Sequence, residues 1–380
     1  MTETEAKSNY YRWGRYVLGL AILAAIILFF SSGTSVRTGV ASGLDTCVAV
    51  IIPSLFPFMI LCNFIVESGI VDILSKPFGW FSRKILRLPS FGGTVLLLSM
   101  IGGFPAGAVM INGLVRGKRL TPAQGKRMMM YCVGAGPAFT ITAVGEGMFG
   151  SFHMGLLLFI SQILATLLIS IIYGLNAGKD PSPAISGSRH ISQNKGLADS
   201  FVTAVSAAAE SLFKICAFVV AFSAITALLT FSGLPAAAGN WAHRFLGVSP
   251  EVVSSAILGL LEVTQGCLSA AKVGGASGYA LASIFLSCTG FSVLCQLLSA
   301  TSMVKIPLLP FILTRLLHGA IALILFTVLA GLFPPAAQTI SASLPADAAG
   351  FQMGLSGSPQ ACAMLLFLSA MLLYSVEKKR

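Results

Sequence analysis

Residues 91–115 read FGGTVLLLSMIGGFPAGAVMINGLV, an apolar run broken in its middle by Gly102-Gly103-Phe104-Pro105-Ala106-Gly107. Proline lacks the N–H that a helix interior needs, and glycine favours irregular backbone. The stretch before the break, Gly92 to Ile101, makes about 15 Å of helix, half the hydrocarbon core of a bilayer. Both flanks are basic: Lys76, Arg83, Lys84 and Arg87 precede the run, and Arg116, Lys118, Arg119, Lys126 and Arg127 follow it. A single crossing would put one cluster on each side of a membrane. A re-entrant hairpin keeps both on one side, where basic loops belong. The hairpin is therefore the expected form.

Composition supplies the bilayer. Of 380 residues, 56% are hydrophobic and 10% charged, and the mean hydropathy is +0.87; soluble domains carry about 25% charged residues. The formal net charge of +11 lies in short runs between apolar stretches, which points to membrane orientation and not to nucleic acid. The eight cysteines all sit in apolar segments without a C-x-x-C pair or a Cys/His cluster, so no metal or other cofactor is expected.

Spanning length is reached at about 16–32, 41–70, 128–149, 152–175, 199–232, 278–302, 306–333 and 357–375, whereas 251–271 is interrupted like 91–115. Lys7, Arg12 and Arg15 precede the first of these, which reads as an uncleaved span. With both termini cytoplasmic, nineteen of the 24 Lys and Arg residues fall inside, Arg37, Arg244 and Lys272 fall outside, and Lys214 and Arg315 lie within spans. That bias supports the topology.

The two halves show self-similarity. Pro53-Ser54-Leu55-Phe56-Pro57 matches Glu210-Ser211-Leu212-Phe213-Lys214 at an offset of 157, Gly136-Pro137-Ala138-Phe139 aligns with Gly290-Phe291-Ser292-Val293 at 154, and Phe159-Ile160 with Phe311-Ile312 at 152. The first half opens from outside to inside and the second from inside to outside. The expected fold is an all-α integral membrane protein of two inverted-topology repeats, each with a re-entrant helical hairpin and a broken span, about eight full spans plus two hairpins. The expected segments are an N-terminal span (1–36), repeat one (37–176, hairpin 91–115), a cytoplasmic linker (177–197), repeat two (198–333, hairpin 251–271), and an external loop with a C-terminal span (334–380).

Breaks near Gly102–Gly107, Gly134–Pro137, Thr264–Gly266 and Cys288–Gly290 could aim helix ends and free backbone groups at one solute or ion near the midplane. The expected substrate contacts are Gly103, Pro105, Gly107, Gly136, Pro137, Glu262, Thr264, Gln265, Gly266, Gly290, Ser292 and Gln296. Glu262 leads them, because an intramembrane carboxylate is costly to keep. Glu210 and Lys214, four apart on one helix, are expected to pair. Arg315 and His318 share a helix face and are expected either to pair with Glu262 or to face a cavity. Asn63 and Glu67 are weaker candidates. No Walker A loop, H-E-x-x-H or G-x-S-x-G occurs, and no catalytic residue is expected.

The runs Ile52-Pro53-Ser54-Leu55-Phe56-Pro57-Phe58, Gly103-Phe104-Pro105-Ala106-Gly107-Ala108, Leu261-Glu262-Val263-Thr264-Gln265-Gly266 and Gly290-Phe291-Ser292-Val293-Leu294-Cys295-Gln296 together resemble the YlbJ-type sporulation integral membrane proteins of the nucleoside-recognition (Gate) group. That group is similar to the membrane gate of ferrous-iron transporters and to concentrative nucleoside transporter cores. The resemblance covers about 40–333, although Gly134-Ala135-Gly136-Pro137 stands where a more polar run is usual. It implies a multi-pass cell-membrane protein acting in spore formation. The expected function is a secondary transporter or gated permeation protein for a small solute or ion, and not an enzyme. Its expected partners are the lipid bilayer and that solute, with a homo-oligomer or sporulation membrane partners also compatible. The alternative is a non-transporting assembly factor for the spore envelope.

Overall fold

The computed structural model describes residues 31–177 and 196–334, together with positions 19, 23 and 27. Most of the expected span at 16–32, the interior of the linker and the expected span at 357–375 lie outside the described residues. All regular structure among the described residues is helical.

Helix α1 (Gly33–Thr46) passes through a π-helical turn (Cys47–Ile51) into α2 (Ile52–Glu67), and the two arms are bent by 55°. Pro53 and Pro57 give no N–H to the ladder, so the turn widens and bends where those bonds are lost. Two short helices follow, α3 (Ile70–Leu74) and α4 (Gly79–Lys84), then α5 (Gly92–Gly102), α6 (Phe104–Arg116) and α7 (Pro122–Met129). Helical geometry stops at Met130 and resumes as an 11-residue π-helix, Ala138–Met148. Ser151 then caps α8 (Phe152–Leu175), its hydroxyl accepting the Met154 N–H at 3.2 Å.

Beyond the linker come α9 (Leu197–Phe231), α10 (Leu234–Leu246), α11 (Pro250–Leu261), α12 (Val263–Val273), α13 (Gly275–Cys288), α14 (Gly290–Ala300) and α15 (Leu308–Leu332). α1 and α2 lie along α9, α15 packs on both α8 and α13, and α6 meets α14.

Among the described residues, four helical stretches are long and apolar enough to cross a membrane: α8, α9, α15 and the stretch Gly275–Ala300 that joins α13 to α14. The bent pair α1–α2 makes a fifth. The stretch at 128–149 contains no continuous helix of spanning length; it is split between the end of α7 and the short π-helix. α5 and α11, with 11 and 12 residues, are too short to cross alone.

The interruptions have local causes. Between α5 and α6, Gly103 adopts φ 81° and ψ −178°, a region that essentially only glycine enters. Between α13 and α14, Thr289 takes φ 69°, a strained left-handed conformation for a β-branched residue, followed by Gly290 at φ 58°. Between α11 and α12 the chain extends at Glu262, φ −146° and ψ 124°.

α11 and α12 approach backbone to backbone: a Cβ on Gly266 would lie 2.2 Å from the Gly259 Cα. Gly266→Leu should therefore cost about 1–3 kcal/mol, read as a lower melting midpoint of the detergent-solubilised protein. Gly113, in the last turn of α6 with nothing within 4 Å of an added Cβ, is the control: Gly113→Ala should hold or raise that midpoint.

Candidate functional site

A cavity of about 60 Å³ lies where three of the interruptions meet. The α5–α6 break contributes Ile101 through Pro105, Gly136 and the start of the π-helix (Ala138 and Phe139) come next, and the α11–α12 break contributes Glu262, Val263 and Thr264. Val293 and Gln296 enter from α14. The bend between α1 and α2 adds Ile51 and Leu55, and α9 adds Ile215 and Val219.

Three helices thus begin at the cavity: α6, the π-helix and α12. A helix start carries unpaired N–H donors and the positive end of the dipole. The three starts differ in their caps. Glu262, 3% exposed, accepts the Gln265 N–H at 2.7 Å and so caps α12 with its own carboxylate. Gly103 and Pro137, at the starts of α6 and the π-helix, make no side-chain cap. Among the described residues, Glu262 is the single ionisable side chain lining the cavity; Thr264 and Gln296, both buried, are its polar companions. Gln296 Nε2 also donates to Ser292 Oγ at 3.4 Å.

Of the twelve residues expected as contacts, Gly103, Pro105, Gly136, Glu262, Thr264 and Gln296 line this cavity. The other six stand behind it. Gly107 lets α6 close on the broken segment, since a Cβ there would fall 1.9 Å from the Cys132 carbonyl oxygen. Gly266 and Gly290 both pack against Gly259. Pro137 starts the π-helix, Gln265 meets Glu262 through its backbone, and Ser292 is fully buried beneath Gln296. The apolar wall of Ile51, Leu55, Ile215 and Val219 carried no signal, because an isoleucine facing a cavity and one facing lipid read alike.

Arg315 and His318 do not join Glu262. The Arg315 guanidinium is buried and donates to the carbonyl oxygens of Met130 and Val133, the acceptors left free where α7 ends. His318 Nε2 lies 2.9 Å from Thr166 Oγ1, beside a smaller cavity of about 10 Å³ lined by Tyr131, Gly134, Ala135 and Gln162. Gln162 bridges further, donating to the Ser283 carbonyl at 3.1 Å and accepting from Ser287 Oγ at 2.9 Å, which ties α8 to α13. Glu210 and Lys214 pair at 3.0 Å along α9. Asn63 is buried in α2 and Glu67 half-buried at that helix's end; neither lines the cavity. Among the described residues, no three His, Cys, Asp or Glu side chains come together in a way that could hold a metal ion.

Comparison with known proteins adds one relative. Over 328 residues the chain is 26% identical to the sporulation integral membrane protein YlbJ of Bacillus subtilis (strain 168), covering 79% of this chain and 80% of the relative. The chain is an integral membrane protein. No family model and no solved structure matches it. The length of the similarity means that it takes in both parts of the fold on either side of the linker.

The Arg315 tie yields a stability test. Arg315→Leu leaves two buried carbonyls without their donors, at about 1–3 kcal/mol each, and should lower the melting midpoint. Arg315→Lys should recover only part of the loss, because an ammonium lacks the planar fork that reaches two acceptors at once.

Proposed function

We propose that the chain is a secondary transporter or gated permeation protein for a small solute or ion, working in a membrane of the sporulating cell. The observation that carries this reading is the convergence of helix starts from both sides of the linker on one cavity with a buried carboxylate. Discontinuous helices meeting at a site are how many transporters hold a solute inside a bilayer. The uncapped starts of α6 and the π-helix favour acceptor groups on that solute, and Glu262 with Gln296 adds discrimination. A volume of about 60 Å³ holds a few water-sized groups. A larger solute therefore enters only when the elements around the cavity part. The sporulation setting comes from the name of the similar protein.

The order of elements supports two repeats. Each part opens on a long helix or bent pair (α1–α2, α9), followed by short helices (α3 and α4) or one (α10), a broken pair (α5–α6, α11–α12), an interrupted stretch (Met130–Met148, α13–α14) and a closing long helix. In our reading these are the inverted repeats 37–176 and 198–333, with α5–α6 and α11–α12 as re-entrant hairpins.

Uptake into liposomes holding the purified protein tests the function, screened over nucleosides, dicarboxylates and divalent metals. Flux should exceed that of empty vesicles for one class, and Glu262→Ala should cut it at least about tenfold, a change of 1.4 kcal/mol or more, while the protein stays folded. Flux never above empty vesicles, in folded protein, would sink transport and favour the assembly-factor reading. Topology has its own test. Arg83→Cys and Lys118→Cys should be labelled from the same side by an impermeant maleimide; labelling from opposite sides would refute the first hairpin.

A further inference from the structure

The loops around α3, α4 and α7 form a basic face, and the fold uses only some of its charges. Arg127 donates to the carbonyls of Leu86 and Arg87, at 3.2 and 2.6 Å, and Arg87 donates to that of Ala177. Arg119 pairs with Asp72 and lies 4.5 Å over the Phe91 ring. These ties gather the α3 helix, the α4–α5 loop, the α6–α7 loop, α7 and the end of α8 at one end of the molecule. Three arginines are spent in doing so. Lys76, Arg83, Lys84, Arg116, Lys118 and Lys126 remain exposed there. Asp72, the one acid on α3 and α4, is already taken by Arg119.

The same two short helices expose large apolar side chains beside those charges: Ile73 is 63% exposed and Trp80 62%. They follow directly on the apolar helix α2. Apolar and aromatic groups set among free cations match the boundary of a bilayer, where rings sit at headgroup level and Lys and Arg reach phosphates. An acidic protein partner would account for the charges and leave Ile73 and Trp80 unexplained. We propose that this face binds anionic phospholipid, with Trp80 and Ile73 at the acyl boundary and Lys76, Arg83, Lys84 and Lys126 on the phosphates. The inference stands apart from transport.

α10 supplies an internal control. It too exposes an aromatic pair, Trp241 at 60% and Phe245 at 65%, but Arg244 is its one Lys or Arg. Two variants of the full chain, each keeping Trp80 or Trp241 as its single tryptophan, are placed in bilayers containing brominated phosphatidylglycerol or brominated phosphatidylcholine. Quenching of Trp80 should favour phosphatidylglycerol, and that of Trp241 should show no such preference. Arg83→Gln and Lys84→Gln should each reduce the Trp80 preference about fivefold, with the fold unchanged by circular dichroism. Equal quenching of Trp80 by both lipids would overturn the proposal, as would a preference that survives both substitutions. Inorganic phosphate that abolishes the preference at matched ionic strength would instead assign the face to a free anion. A poly-glutamate peptide that binds where phosphatidylglycerol shows no preference would assign it to an acidic protein.

Discussion

A backbone group that loses its helical partner inside hydrocarbon has no water to turn to, and each such group costs several kcal/mol. Among the described residues, the helices break at Gly103, at Met130–Pro137, at Glu262 and at Thr289, among other places, and these four are sheltered by their neighbours. The solution is mutual. The α5–α6 break lies against Gly136, the Gly290 backbone lies against the carbonyl of Gly259, and α9 and the α1–α2 bend close the remaining side of the cavity.

Two buried charges follow from the same constraint. Glu262 and Arg315 are 3% and 2% exposed, and neither takes the other as its partner. Each is matched instead to a helix end of opposite sign. The carboxylate sits at the positive start of α12, and the guanidinium sits on carbonyls past the negative end of α7. A salt bridge between them would have satisfied both charges and left both helix ends bare. The chosen arrangement stabilises two interruptions with two side chains, and it leaves Glu262 at the cavity wall.

How much of this was legible in the sequence depended on whether a residue departs from its surroundings. Gly103, Pro105, Gly136 and Glu262 could be named because a glycine, a proline or a carboxylate is conspicuous in an apolar run. The α5–α6 break showed in the doublet Gly102-Gly103, and pairing of Glu210 with Lys214 followed from spacing alone. The partner of Arg315 could not be read, since its acceptors are backbone carbonyls 182 and 185 residues away, and every residue has a carbonyl. The bend in α1–α2 was missed for a related reason: Pro53 and Pro57 stand in a run long enough to span, and apolar length masked what the prolines do. Gly107, Gly266 and Gly290 were conspicuous yet serve close packing, because a small residue signals proximity to something without saying whether that is ligand or backbone.

The segment from Met130 to Pro137 joins these threads. On one side Gly136 lines the larger cavity; on the other Gly134 and Ala135 line the smaller one beside His318. Arg315, on the same helix as His318, grips its carbonyls at Met130 and Val133. The segment has no helix of its own, so its position is set by what holds it: α15 through Arg315, α7 through the Met128 carbonyl, and α6 through Gly107. α15 is also packed on α8 and α13, from which the Gln162–Ser287 bridge extends. Arg315 thus ties α15 to the segment that ends at Gly136 on the cavity edge, while Glu262 caps the start of its own helix α12. The wall of the cavity is therefore built from one helix start capped by its own side chain and one irregular segment fastened by a neighbouring helix.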